Sequence, residues 1–229
     1  MIVAEQKPLE QIQEMIKGYK KVLVMGCGTC VTVCAAGGQK EVEILSSTLR
    51  LANQVKDKQQ DFTEKTVTRQ CEWEYLDAEA EAIKDCDAVL SLGCGVGVQA
   101  IAERFPKMVV LPGLNTEFFG LPLEQGVWAE RCRGCGDCKL DKTGGICYIA
   151  RCAKSLQNGP CGGSVNGKCE VSKDIPCAWQ LIYDRLKELG QLDALDEIIQ
   201  PQDWSPSFAG KPRKVVREDL RVTGRTQSG

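Results

Sequence analysis

The sequence contains no histidine. That excludes Ser-His-Asp and Cys-His catalysis, His-ligated zinc enzymes and His-ligated haem. Aromatic residues are scarce, at 6%, too few for the stacking platforms that bind single-stranded nucleic acid. Neither sign of charge dominates: 29 Lys and Arg face 31 Asp and Glu. A nucleic-acid binder needs a basic footprint that this balance does not supply. Long hydrophobic runs are missing as well. The longest uncharged stretch, 22–39, is broken by Gly26, Gly28, Gly37 and Gly38, and 88–102 is shorter and also glycine-rich. Neither reads as a bilayer span. Residues 1–20 carry Glu5, Glu10 and Glu14 with no apolar run, unlike a signal peptide. The expectation is a cytoplasmic protein with no membrane span and no nucleic-acid partner.

Cysteine, by contrast, is abundant, with 14 in 229 residues. Disulfides explain them poorly in a reducing compartment, so metal or iron–sulfur ligation leads. Six fall in 1–131, eight in 132–177 and none beyond. Three regions follow: an α/β domain over 1–125, a Cys-rich metal-binding module over 126–179, and a helical segment with an extended tail over 180–229.

The first region alternates strands and helices. Apolar spacing predicts helices over 8–19, 39–57, 77–84 (capped by Asp77) and 96–104. Short apolar or β-branched runs predict strands over 21–25, 63–69, 88–92 and 107–111, the last stopped by Pro112-Gly113. This is the pattern of a parallel, Rossmann-like sheet with crossover helices. Ligands of such sheets bind beyond the carboxyl ends of the strands. Cys27, Cys71 and Cys94 each follow a predicted strand, so the three converge on one edge. The last region reads as two short helices split by Gly190, then a tail.

Cys27-Gly-Thr-Cys30-Val-Thr-Val-Cys34 opens the first strand-to-helix turn. In a helix starting near Thr29, Cys30 and Cys34 share a face, and Cys27 precedes them in the turn. A fourth thiolate would come from Cys94 or Cys71. Cys94 is slightly preferred because its flanking glycines offer backbone amides to a cluster. The competing reading is a redox Cys27–Cys30 pair with Cys34 in the core. Cys86 points to the opposite edge and reads as a structural thiol.

Cys132-Arg-Gly-Cys135-Gly-Asp-Cys138 is the C-x2-C-x2-C run of ferredoxin clusters, without their following C-x3-C-P step. Cys147, Cys152, Cys161, Cys169 and Cys177 follow. Eight thiols suffice for two four-ligand sites, in an order that spacing does not fix. Glycines between them let the backbone approach a metal closely. Seven Lys or Arg against four acids over 132–177 suit an anionic thiolate cluster. Structural zinc is the alternative. The C-x2-C-x2-C site favours a cluster, and a second site does not separate the two.

The order GCGTCVTVC, LGCGVGVQ, RCRGCGDC, GGICYIARCAKSLQNGPCGG, GKCEV and PCAW resembles the small Cys-rich subunit of bacterial methylenetetrahydrofolate reductase complexes (MetV-type), over residues 20–179. The resemblance implies [4Fe-4S] clusters, two or up to three, with zinc open at one site. It implies a flavin-containing TIM-barrel catalytic subunit as partner, carrying FMN or FAD, and ferredoxin or another redox subunit as donor. The implied role is one-carbon metabolism in acetogenic and related bacteria, by electron relay rather than catalysis. Two other roles stay open. One is a zinc-stabilised scaffold of that complex. The other is a cluster-bearing subunit of a heterodisulfide reductase or hydrogenase module.

Overall fold

A computed structural model describes residues 1–57, 59–208 and 212–221; the end of the expected tail, 222–229, lies outside the described residues. The chain divides into two compact units, Met1–Arg131 and Cys132–Gly229. The expected boundary after residue 125 falls in a turn between two strands of the first unit.

The first unit runs β1 (Ile2–Gln6), α1 (Leu9–Ile16), β2 (Lys21–Cys27), α2 (Cys30–Val33), α3 (Gln39–Val55), β3 (Asp61–Val67), α4 (Trp73–Asp77), α5 (Ala80–Lys84), β4 (Ala88–Leu92), α6 (Gly95–Arg104), β5 (Val109–Pro112), β6 (Leu114–Glu124) and β7 (Val127–Cys132). Four strands form a parallel sheet in the order β3-β2-β4-β5, as the α/β reading expects. The chain leaves β2 toward β3 and returns to the other side of β2 as β4. The order therefore reverses between β2 and β4, which is the switch point where such sheets bind ligands.

The sheet is covered on both faces because its strands are apolar in both phases. Val22 and Val24 of β2 join Leu90 and Leu92 of β4 in one cluster, with Ile12 and Ile16 of α1 and Val42, Leu45 and Leu49 of α3. Leu23 and Met25 join Val89 in the other, with Leu76 of α4, Ile83 of α5 and Ile101 of α6. Alternate residues of a strand point to opposite faces, so continuous apolar runs mark strands buried on both sides.

Two expectations need correction. Residues 77–84 are not one helix capped by Asp77. Asp77 ends α4, and its carboxylate accepts two hydrogen bonds from Arg104, at 2.7 and 2.9 Å. A second sheet, β1-β6-β7, in which β1 pairs antiparallel with β6, is not among the expected elements. Val3, Ala4 and Leu114 of this sheet complete the first cluster.

The start of β2 is tied to the loop before β4. The Asp87 carboxylate accepts from the amides of Lys21 and Lys20, at 2.8 and 2.9 Å. These backbone bonds, from Lys21 foremost, hold the Asp87 carboxyl below its ordinary range. A lowered carboxyl contributes stability above the unfolded value of about 4, and the contribution is lost as pH falls through the folded value. Asp87→Asn should therefore be less stable than wild type at pH 7 and indistinguishable from it well below pH ~4. Urea midpoints across pH check this; a difference that persists unchanged in acid contradicts it.

The second unit contains α7 (Tyr148–Arg151), α8 (Ala178–Glu188) and short 3-10 turns at Leu140–Thr143, Leu192–Leu195 and Glu218–Leu220. The second expected C-terminal helix is only the turn at Leu192–Leu195, set off by Gly190 at φ +66°. Trp179, Ile182 and Leu186 lie on one face of α8 and pack with Tyr148, Ile149, Cys177 and Ile199. Among the described residues, that cluster holds seven buried residues, against seventeen and seven in the two clusters of the first unit. So small a core leaves most of the unit's order to its hydrogen bonds and to whatever its thiols bind. Among the described residues, no helix is long and apolar enough to cross a membrane.

Candidate metal centres

In the first unit, Cys27 is the last residue of β2, Cys71 follows β3 by four positions and Cys94 follows β4 by two. All three stand at the carboxyl edge, with Cys27 and Cys94 flanking the switch point. The Cys27 Sγ lies 3.9 Å from the Thr68 carbonyl, in the segment leading to Cys71. Burial raises the Cys71 thiol above its ordinary value, and the neighbouring Cys27 and Cys94 sulfurs raise it further. Cys71 therefore lies within electrostatic reach of both, although 67 positions separate Cys27 from Cys94.

Cys30 and Cys34 differ in placement. Cys30, half-buried, begins α2, while Cys34 is buried at its end. The Cys34 Sγ lies 3.5 Å from the Ala4 carbonyl of β1 and 3.6 Å from that of Val31. Its thiol is thus turned into the core beneath the second sheet, away from the shared face the spacing suggests. Cys86 lies at the other end of the sheet, with Sγ 3.1 Å from the Ile83 carbonyl. Burial raises this thiol.

Gln70 is a positioning residue that the sequence reading missed. It is fully buried beside Cys71. Its Nε2 donates to the Met25 carbonyl of β2 at 2.8 Å, and its Oε1 accepts from the Ser91 hydroxyl of β4 at 2.6 Å. The same hydroxyl accepts from the Gly93 amide at 3.1 Å. A Cβ on Gly93 would stand 2.2 Å from Gln70 Oε1, so a side chain there would push Gln70 off these hydrogen bonds. Gln70 thereby pins the Cys71 loop across the switch point and beside the Cys94 turn. Gln70→Leu leaves the Ser91 hydroxyl and Met25 carbonyl without these partners and should cost about 2 kcal/mol. Chemical denaturation measures it; a change under about 0.5 kcal/mol, the usual range of a surface substitution, contradicts this role.

In the second unit, Tyr148 reports on the first thiols. Its hydroxyl is raised by burial, then by the charges of Cys147, Asp137, Cys135 and Cys138. Cys135 and Cys147, from two separate segments, pack against the cluster that contains this ring. Amides aim at several of the sulfurs. The Gly134 amide donates to Cys132 Sγ at 3.3 Å, and the Ala150 amide to Cys147 Sγ at 3.4 Å. Such N–H groups stabilise a thiolate.

Cys177 occupies the position just before α8, with no side-chain capping bond. Burial raises its thiol, but the nearby Gln180 amide, Ser164 side chain and Trp179 amide outweigh it, and the net shift is downward. Cys177 and Cys169 flank a small bridged segment in which Lys168 pairs with Pro176 and the Cys177 amide donates to the Gly167 carbonyl at 2.8 Å. Cys152, half-buried, ends α7, and Cys161 is exposed in the glycine-rich loop after it.

The donor chemistry is all thiolate, and its backbone amides and glycines suit iron–sulfur or zinc ligation. Among the described residues, however, no three or more Cys, Asp or Glu side chains are gathered closely enough to hold one ion.

No curated protein and no solved structure matches the chain. Residues 111–205, less than half of the chain, match the family described as methylene-tetrahydrofolate reductase C terminal; the match relates this segment, which contains all eight cysteines of the second group, to methylenetetrahydrofolate reductases.

Proposed function

We propose that this chain is the iron–sulfur electron-transfer subunit of a methylenetetrahydrofolate reductase complex. It takes electrons from ferredoxin or another redox subunit. It passes them to FMN or FAD on a TIM-barrel catalytic subunit, which reduces methylenetetrahydrofolate to methyltetrahydrofolate. The observation that carries this reading is the coincidence of the family match with the cysteine-dense segment.

Cys132, Cys135, Cys138 and Cys147 are the set best suited to hold one [4Fe-4S] cluster. Cys152, Cys161, Cys169 and Cys177 would hold a second cluster or a zinc ion. Cys27, Cys71 and Cys94, with Cys30, are the candidates for a third. Bound there, clusters supply one-electron carriers, and ligation without histidine favours low potentials. The chain's own residues fix the sulfurs, direct amides at them and offset their charge. The organic chemistry belongs to the flavin.

The test mixes the dithionite-reduced, desalted chain anaerobically with the flavin-carrying catalytic subunit. The expected result is a stable complex and bleaching of the flavin absorbance. Association without bleaching would favour the scaffold role. Absence of association would remove this complex as the partner.

A further inference from the structure

The glycine-rich motif 158–163 contributes one thiol, Cys161, yet its first residues do something else. The Asn158 side chain grips the backbone of Ile199 in both directions. Its Oδ1 accepts from the Ile199 amide at 2.9 Å, and its Nδ2 donates to the Ile199 carbonyl at 3.0 Å. Neighbouring Gln157 donates to the Ile199 and Gln200 carbonyls and accepts from the Gln202 amide. Residues 199–202 are therefore held as a strap with one fixed register.

The strap lies over the C-x2-C-x2-C loop. The Asp203 amide donates to the Asp137 carboxylate at 3.0 Å, and Arg213 donates to the Gly134 carbonyl at 2.7 Å. Gly136, at φ +88°, lies close enough to Pro206 that a Cβ would come within 2.9 Å of its ring. At the centre, the Gln202 side chain has every polar atom used. Its Oε1 accepts from the Tyr148 hydroxyl at 3.2 Å; its Nε2 donates to the Asp137 carbonyl at 2.6 Å and reaches Cys135 Sγ at 3.8 Å.

We propose that Gln202 is a positioning residue for the metal site at Cys135, oriented by Tyr148 and delivered by the Asn158-clamped strap. The Asp137 carbonyl, which can only accept, fixes which end of the amide faces the sulfur, and the Tyr148 hydroxyl, donating to Oε1, holds it there. An N–H aimed at a ligating sulfur stabilises added electron density there, so it raises the potential of a bound cluster and slows release of the metal. The effect on potential rests on the electron-transfer reading; the effect on metal release does not.

The experiment compares the anaerobically purified full-length chain with Gln202→Leu, Gln202→Glu and Tyr148→Phe. It records metal content, rate of metal loss to a chelator, and midpoint potential by spectroelectrochemical titration. Gln202→Leu should release one site's metal about fivefold faster, the factor one net hydrogen bond is worth. It should also lower one midpoint potential. Gln202→Glu keeps the acceptor for Tyr148 but puts a carboxylate beside the sulfur, so its downward shift should be larger. Tyr148→Phe should shift the same midpoint in the same direction by less.

A purely structural strap would lower thermal stability without ordering the potentials in this way. Unchanged release rates and potentials in both Gln202 variants, at full metal content, would overturn the proposal. If wild type holds zinc alone, the electron-transfer reading fails while the release rates still decide the role of Gln202.

Discussion

Replacing Cys135 by Ala should remove one cluster's complement of iron from the anaerobically purified chain and unfold much of the Cys132–Gly229 unit. The reason is the size of that unit's core. Its seven clustered residues include Cys177, and Cys135 and Cys147 pack against them, so the proposed ligands are part of the core itself. Metal binding free energy is folding free energy where the site does not exist in the unfolded chain, and it reaches about 10–16 kcal/mol for structural zinc in zinc-finger peptides. Losing one ligand should therefore cost more than truncating a large buried aliphatic side chain, which costs about 2–5 kcal/mol. Iron analysis and limited proteolysis of the unit measure both effects. Cys86→Ser is the control: its thiol sits in the other unit against Ile83 and Met108, and iron content should not change. Equal iron in Cys135→Ala and wild type would remove Cys135 from the ligand set.

Gly37→Ala should be the most damaging single methyl addition in the first unit, at about 3 kcal/mol, the upper range for overpacking. The loop after α2 crosses the carboxyl ends of β2 and β4. There the Gly37 carbonyl accepts from the Cys27 amide at 2.9 Å. A Cβ at 37 would stand 1.9 Å from the Leu92 carbonyl oxygen, which is backbone and cannot swing aside. Either the loop lifts, losing the Cys27 bond, or β4 shifts beside Cys94. The substitution therefore reads out both stability and the geometry of the sheet-edge thiols. Gly18→Ala is the comparison, because a Cβ there meets nothing within 4 Å. It should change stability by less than about 1 kcal/mol. Similar stabilities for the two variants would contradict the close approach.

The parallel sheet was legible because its signal is local. The run 21–25 is apolar in both phases and ends at a glycine turn, and 88–92 repeats the pattern, so β2 and β4 are marked by sequence alone. The second sheet was not. In β6, Leu114 and Gly120 are buried, but most of the strand is exposed, so no alternation stands out. Its pairing with β1 joins residues more than 100 positions apart.

The cysteines divide in the same way. The edge position of Cys27, Cys71 and Cys94 follows from where strands end. The inward turn of Cys34 depends on Ala4 in a strand that the spacing does not reveal. Gln70 and Gln202 were invisible for a related reason: an amide's role is set by what tertiary contact brings to it, and no spacing rule encodes that. The glycines at 93 and 97 carried a faint signal of Gln70, since both are places where a Cβ would collide with it.

The central claim is that these thiols hold iron–sulfur clusters rather than zinc. The measurement that tests it most directly is iron, acid-labile sulfide and zinc on the chain purified without oxygen. The account predicts a brown protein with iron and sulfide in equal amounts, sufficient for at least two four-iron clusters, and zinc at no more than one site. Zinc at every four-thiolate site, with no iron and no labile sulfide, would contradict it.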